Sequence, residues 1–204
     1  MNPKKLYSEN LLASFLCLMI AGYAVSSCAS TGLRTVTPSN APRNISYRMA
    51  TDTPAHRGIS IDGRGYMGHE IVAPAEGVVV FSRGNHVRIH HGPDSKRQDI
   101  HTEHFHVDGR LPKEGDKVKR GQTIGSIGTG KNTSLPHYHY VVMKKEGPAK
   151  FIALNPIDYW FGIDRYKEKV DKGLDIGPFV ILCFDPNVNY PTEPIRFTYP
   201  VTCK

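Results

Sequence analysis

The stretch PHYHYVVM, residues 136–143, alternates between two kinds of side chain and sets the fold class. His137 and His139 stand two residues apart, and Tyr138 and Tyr140 occupy the alternate positions. Successive side chains of a β-strand point to opposite faces, so both imidazoles share one face and both tyrosines share the other. We expect the tyrosines to pack and the histidines to carry chemistry, although an exposed strand edge gives the same pattern.

Outward from this stretch, residues 56–161 consist of short β segments between glycine-rich turns. The further segments are EIVAPAEGVVVFS, HVRIHH, DIHTEHFHV and QTIGSIG, and none of them has helical periodicity. The sequence therefore predicts an all-β fold, a compact antiparallel β-sheet domain. The segment NPIDYWF, residues 155–161, is predicted to begin a short closing helix, and FVILCF, residues 179–184, is predicted to form a strand in the tail.

The composition is that of a globular protein with a site rich in histidine. The chain has 204 residues, of which 39% are hydrophobic and 22% are charged, which excludes a disordered or collagen-like chain. All ten histidines lie between His56 and His139. The net charge of +7 favours an anionic partner. No basic patch interleaved with aromatic residues is present, so we expect no nucleic-acid partner.

The N-terminus has the pattern of a secretory signal. Lys4 and Lys5 precede an uncharged apolar run at residues 11–25, which is shorter than the ~20 residues of a membrane span. The run ends in VSSC, residues 25–28, which resembles the lipobox of bacterial lipoproteins. The resemblance implies that Cys28 is acylated and anchors the chain to a membrane. An ordinary signal peptidase site is the alternative.

This interpretation divides the N-terminal part of the chain into a lipoprotein signal peptide, residues 1–27, and a lipidated cysteine with a flexible tether, residues 28–50. Ala29, after the cysteine, resembles the sorting preference for the outer membrane. The predicted location is the periplasmic face of the outer membrane. The domain itself is predicted to span residues 51–162, followed by a C-terminal extension at 163–204.

Two cysteines remain in the extension after lipidation. Cys183 and Cys203 would lie in an oxidising periplasm, so we expect them to form a disulfide. A pair of free thiols is the alternative. Neither cysteine belongs to a CxxC motif, so redox catalysis is not supported.

The ordered motifs of the domain resemble those of lysostaphin/LytM-type zinc metallopeptidases. The resemblance covers residues 56–162 and rests on HRGISID, APAEGVVV, TEHFHV, EGDKVKRGQTIGSIGTG, PHYHYVV and NPIDYW. That family cuts the peptide crosslinks of peptidoglycan on an antiparallel β scaffold. The resemblance therefore implies a Zn²⁺-dependent peptidoglycan endopeptidase that uses direct attack of water.

The resemblance also implies roles for individual histidines. His56, from the HxGxD-like motif, and His139, the second histidine of HxH, would be zinc ligands. His137 would be a catalytic histidine. The central catalytic histidine is His106 or His104, and His106 fits the usual spacing to the following glycine better.

The third zinc ligand departs from the family pattern. Ser60 stands four residues after His56, where the family has an aspartate, and Asp62 stands at six. Counting backward from GHEIVAPAEG favours Asp62 as the ligand, and a bulge near Gly58 would then absorb the extra residues. If Asp62 is not a ligand, zinc binding is weakened or absent.

Two other functions stay open at this point. A domain of this type that has lost metal ligands can bind the cell wall or activate an amidase instead of cutting, and Ser60 favours that alternative. The stretches APAEGVVV and EGDKVKRGQTIG also resemble hairpins of biotinyl and lipoyl carriers. Such carriers present a lysine at a hairpin tip, whereas Lys144 and Lys145 lie past HYHY.

Overall fold

The structure is a computed structural model, and it describes residues 45–49, 57–63, 66–129, 136–162 and 182–203. All of these residues belong to one compact unit. Among them, no helix has the length and apolar character needed to cross a membrane. Residues 1–44, with the predicted signal and Cys28, lie outside the described part, as do His56 and residues 163–181.

Eleven strands form two antiparallel sheets in the described part of the chain, which confirms the predicted all-β fold. The larger sheet has the order β1-β2-β10-β6-β5-β4-β8, with β11 also paired to β10, and the smaller has the order β3-β9-β7. The strands are β1 (Ile45–Met49), β2 (Arg57–Asp62), β3 (Glu70–Val72), β4 (Gly77–Arg83), β5 (His86–Pro93), β6 (Asp99–Phe105), β7 (Val107–Asp108), β8 (Lys117–Val118), β9 (Thr123–Ile127), β10 (His137–Lys145) and β11 (Phe151–Leu154).

The two sheets share one hydrophobic core. Tyr138 and Tyr140 of β10 are fully buried in it, as their alternation with the histidines predicts. Ile71 of β3 and Ile124 of β9 belong to the same cluster. Tyr138 and Tyr140 point into the core from one face of the large sheet. The alternate residues of β10, His137 and His139, therefore lie on the opposite face.

A chain of hydrogen bonds crosses this core and includes two histidines. The Tyr138 hydroxyl donates to Nδ1 of His104 at 2.6 Å, and Nε2 of His104 donates to the Thr102 hydroxyl at 2.9 Å. Thr102 then donates to Nε2 of His91 at 2.8 Å, and Nδ1 of His91 donates to the carbonyl oxygen of Glu76 at 2.7 Å. The direction of all four bonds follows from the last one. The carbonyl oxygen of Glu76 can only accept, so Nδ1 of His91 donates to it and Nε2 of His91 accepts from Thr102. Burial lowers the pKa of His91 to about 3 and that of His104 well below its usual value, so both rings are neutral.

The described part of the C-terminal extension packs on the same core. Phe197, Tyr199 and Val201 are almost fully buried, and the backbone N–H of Phe197 donates to the carbonyl of Tyr159 at 2.7 Å. A disulfide bonds Cys183 to Cys203, whose Cα atoms are 6.0 Å apart. These contacts tie residues 182–203 to the domain.

Three local predictions differ from the structure. Residues 182–184 form no strand, and the rest of FVILCF lies outside the described residues. The predicted closing helix is a single 3₁₀ turn, Pro156–Tyr159, which Asn155 caps by accepting the N–H of Ile157 at 3.1 Å. Ile45–Met49, within the predicted tether, form an edge strand that pairs with β2.

Candidate active site

Strands β2 and β10 bring four polar residues into two directly paired positions of the large sheet. Ser60 pairs directly with His139, and Asp62 pairs directly with His137. Residues paired across an antiparallel ladder have side chains on the same face, and so do residues two apart on one strand. The opposite face at this point carries buried side chains such as Tyr138. The register therefore brings together two imidazoles and a hydroxyl, and it pairs Asp62 with His137 in the same ladder.

Ser60 contacts the histidine that the sequence predicts as a zinc ligand. Its Oγ lies 3.1 Å from Nδ1 of His139, which is a hydrogen-bonding distance. The pairing of β2 with β1 and with β10 runs without a register shift, so the bulge expected near Gly58 is not found in the described pairs. Gly58 instead has a φ of +134°, and a Cβ there would collide with the carbonyl oxygen of Tyr140. Strand β2 therefore approaches β10 closely at this glycine, and the described pairs contain no extra residue there.

His106 lies against His137, with ring centroids 4.2 Å apart and the ring planes inclined at 52°. In an extended strand His106 would point away from the face that carries its neighbour Phe105, whose ring lies 5.8 Å from that of His139. The φ of His106 is +62°, a left-handed conformation that breaks this alternation. Such a conformation costs of order 1–3 kcal/mol outside glycine and is frequent at functional sites.

The environment of His106 keeps its ring neutral. Burial lowers the pKa of His106, the neighbouring His137 lowers it further, and Asp108 opposes the shift. Within the described residues, the buried Nδ1 of His106 has no hydrogen-bond partner. A buried imidazole nitrogen without a protein partner is suited to bind a group that enters the site.

His104, the alternative central histidine, lies in a different environment. It is fully buried and is hydrogen-bonded on both ring nitrogens, to Tyr138 and Thr102. Both of its nitrogens are therefore occupied by core partners, whereas His106 lies beside His137. The geometry places His106 with the other site histidines.

The residue types of the predicted ligands, two histidines and an aspartate, fit zinc chemically. Imidazole nitrogen and carboxylate oxygen are the ligands that catalytic zinc sites use, with one position left open. His139 is the predicted ligand whose side chain the structure describes, and Asp62 lies on the adjacent strand of the same sheet. His56, the remaining predicted ligand, lies outside the described residues.

The same face continues into two groups of ionisable residues that the sequence analysis did not single out. Glu103 binds Arg88, whose Nε lies 2.7 Å from Oε1 of Glu103. Further along β5 and β6, His90, Asp99 and His101 form a second cluster. The signal for it was present in the sequence, because Asp99 and His101 have the same spacing of two as His137 and His139.

Comparison with known proteins agrees with the resemblance of the motifs. Residues 54–151 match Peptidase family M23. Peptidoglycan DD-endopeptidase ShyC from Vibrio cholerae is 37% identical over 112 residues, which are 52% of this chain and 24% of that protein. Peptidoglycan DD-endopeptidase ShyA from the same organism is 33% identical over 94 residues, which are 44% of this chain and 21% of that protein. The chain therefore spans less than a quarter of the length of each of these relatives.

Among solved structures, the catalytic domain of the antimicrobial peptidase lysostaphin from Staphylococcus simulans is 22% identical, with a TM-score of 0.43. The similarity covers 55% of this chain and 84% of the lysostaphin domain. The segment that matches the family contains the paired strands β2 and β10 as well as His106. The similarity to Peptidase family M23 thus lies at residues 54–151, the part of the chain that contains the candidate site.

Proposed function

We propose that this domain is a zinc-dependent endopeptidase that hydrolyses the peptide crosslinks of peptidoglycan by direct attack of water. The match to Peptidase family M23 supports a peptidase, and the two relatives from Vibrio cholerae are named peptidoglycan DD-endopeptidases. The substrate and the metal are parts of the proposal.

The observation that carries the proposal is the contact between His106 and His137, which lies two residues before His139 on strand β10. A neutral imidazole accepts a proton from water, and a second imidazole N–H stabilises negative charge on a carbonyl oxygen. His106 and His137 can divide these two tasks because their rings are adjacent. His56, Asp62 and His139 would hold the zinc ion, which when bound supplies Lewis acidity to polarise a carbonyl and acidify water.

The proposal includes the location of the enzyme. Acylation of Cys28 would hold the chain on the periplasmic face of the outer membrane, within reach of peptidoglycan. Removal of residues 1–27 would take away Lys4, Lys5 and Glu9, and the remaining net charge of +6 favours contact with an anionic wall polymer.

The contact between Ser60 and His139 favours a second candidate function. A serine hydroxyl is a poor zinc ligand, and it lies directly opposite the predicted ligand His139. A domain that binds zinc weakly or not at all would bind the cell wall or activate an amidase without cutting.

Digestion of purified sacculi distinguishes the two functions. The full-length chain, purified in detergent, is incubated with sacculi, and the released muropeptides are separated by chromatography and identified by mass spectrometry. We expect crosslinked muropeptides to disappear, a chelator to stop the reaction and added zinc to restore it. His139→Ala serves as the inactive control. Intact crosslinks after incubation with the zinc-loaded wild-type chain would contradict the endopeptidase proposal and favour the activator.

A further inference from the structure

The large sheet carries a second cluster of metal-ligating side chains, formed by His90 of β5 with Asp99 and His101 of β6. Nε2 of His90 lies 2.5 Å from Oδ1 of Asp99, and Nε2 of His101 lies 3.4 Å from Oδ2 of the same carboxylate. The two imidazole rings are stacked with centroids 4.7 Å apart. One ligand atom from each residue lies within 4.8 Å of the other two.

The strand register creates this cluster. His90 pairs directly with His101, and Asp99 lies two residues before His101 on the same face of β6. A register shift between His90 and Gly92 then turns β5 at the end of the cluster. Three ligand-bearing positions on two paired strands form a more rigid frame than positions on a loop would.

The cluster is separate from the candidate active site. Phe105 of β6 pairs with His139, and His101 lies four residues earlier on the same strand. At about 3.3 Å per residue, His101 is about 13 Å from that position. Ligands bind zinc at ~2.0–2.2 Å, so one ion cannot serve both groups.

The ring nitrogens of His101 have few hydrogen-bond partners among the described residues. The residue is only 4% exposed, and its Nδ1 has no hydrogen-bond partner among the described residues. Its other nitrogen reaches Asp99 only at the outer limit of a hydrogen bond. Nε2 faces the cluster with only this long contact, and a cation bound between the two rings and the carboxylate would give that nitrogen a strong partner.

The cluster is accessible from solvent through a pocket of about 300 Å³, which is also lined by Arg88, Lys145 and Phe151. Two cations therefore lie near the cluster. Arg88 is ion-paired with Glu103, and Lys145 is exposed to solvent, so their repulsion of a metal ion is reduced. The pocket leaves room for water or another ligand at a fourth coordination position.

We propose that His90, Asp99 and His101 form a second binding site for Zn²⁺ or a similar divalent transition metal ion. Two imidazoles, one carboxylate and an open position form a donor set that zinc uses in proteins. Two imidazole nitrogens beside a single carboxylate disfavour the hard cations Mg²⁺ and Ca²⁺, since those ions bind mainly oxygen ligands. The site does not depend on whether the domain cuts peptidoglycan.

Zinc stoichiometry tests this site. The tag-free full-length chain is stripped with a chelator in detergent, titrated with Zn²⁺, and measured by calorimetry and elemental analysis, with Co²⁺ absorption as a second signal. We expect Asp99→Asn to lose one equivalent of zinc that His139→Ala retains. Its affinity at this site should fall by more than ~100-fold, since loss of outer-shell partners alone costs about 10–100-fold. His86→Asn, on the same face, is the matched control and should keep that equivalent.

His90→Gln provides a second test that disturbs packing less, because the His90 side chain is 36% exposed. Circular dichroism verifies that each variant is folded. If Asp99→Asn and His90→Gln both bind as much zinc as the wild-type chain, the site is a hydrogen-bonded cluster only and the proposal is overturned. If the wild-type chain binds only one equivalent in total, and Asp99→Asn removes it while His139→Ala retains it, this site is supported and zinc at the active site is contradicted. A wild-type chain that binds no zinc would contradict both.

Discussion

The hydroxyl of Ser60 lies 3.1 Å from Nδ1 of His139, and the two residues pair directly across strands β2 and β10. Asp62 pairs with His137, one step further along the ladder. Directly paired residues have Cβ atoms ~4.5–5.5 Å apart, whereas diagonal neighbours are ~7–8 Å apart. Asp62 is therefore a diagonal neighbour of His139. Zinc binding at the active site depends on whether Asp62 or Ser60 coordinates the ion.

The first prediction separates Ser60 from Asp62. We expect Asp62→Ala to lose zinc at the active site and crosslink cleavage together, because an anionic ligand is removed. Ser60→Ala should keep both, which would also exclude Ser60 as a nucleophile activated by His139. Zinc stoichiometry and muropeptide release from sacculi are measured for each variant.

A third variant makes this test sharper. Ser60→Asp places a carboxylate directly opposite His139, so it should restore zinc binding and cleavage in the Asp62→Ala background. If Ser60→Ala is the variant that loses zinc, the assignment of Asp62 as the ligand is wrong, and Ser60 occupies the ligand position.

The second prediction concerns the two adjacent imidazoles. His137→Ala and His106→Asn should each retain zinc and lower kcat by about 10²–10⁴-fold, the usual contribution of general acid–base catalysis. Asparagine is chosen at His106 because it tolerates the left-handed conformation. His86→Asn is the control on the same sheet face. Loss of zinc in His137→Ala would show that this residue coordinates the metal and does not act on the attacking water.

Alternation along the strands was sufficient to predict the β fold and to separate His137 and His139 from the buried tyrosines. In residues 137–140 it separates the buried tyrosines from the histidines, and the structure keeps that separation. It does not predict His106, because the left-handed φ of that residue reverses its direction relative to β6. The backbone conformation of a single non-glycine residue depends on tertiary contacts, which local sequence does not contain.

Strand register was the other feature that the sequence alone did not predict. Counting from flanking motifs favours Asp62, whereas the ladder places Ser60 opposite His139 without a bulge. The register of β2 against β10 depends on the side chains of both strands, so the sequence of one strand alone does not determine it. The second cluster was missed for the same reason, because His90 joins Asp99 and His101 only through strand pairing.

The third prediction is that the mature protein contains a Cys183–Cys203 disulfide. Mass spectrometry of a non-reduced digest should find the two C-terminal peptides linked. A link across 20 residues stabilises the folded chain by about 3 kcal/mol, so reduction should lower the free energy of unfolding by that amount. Cys203→Ser should behave like the reduced wild-type chain and should not respond to reductant. Two freely alkylated thiols in the untreated protein would contradict the prediction.

The fourth prediction is lipidation of Cys28, which lies outside the described residues. Cys28→Ala should leave the precursor unprocessed or release the protein into the soluble periplasmic fraction, because the thiol that receives the lipid is gone. Metabolic labelling with a fatty acid and fractionation of membranes measure this. Ala29→Ser is the matched control and should still be labelled. Labelling of Cys28→Ala at the wild-type level would refute the assignment.

The fifth prediction is that His104 makes the protein sensitive to acid. Burial holds the pKa of His104 well below its usual value, so the folded chain keeps this ring neutral. In the unfolded chain the ring titrates near ~6.5. Above that pH both states are neutral and His104 adds no pH dependence. Below it the unfolded chain binds a proton that the folded chain does not, so the free energy of unfolding falls by up to ~1.4 kcal/mol per pH unit.

Chemical denaturation between pH 6.5 and 5 measures this slope, since ordinary carboxyl groups, with a pKa near ~4, titrate mainly below that range. A chelator is present throughout, so that release of metal does not contribute. His104→Gln should reduce the slope by about 1 kcal/mol per pH unit, because it removes the titrating ring. Tyr138→Phe is the matched control: it removes the hydroxyl that donates to His104 at 2.6 Å. That variant should be less stable at every pH with an unchanged slope, because no group that titrates in this range is lost. An equal slope in His104→Gln and the wild-type chain would mean that the buried ring is protonated in the folded state.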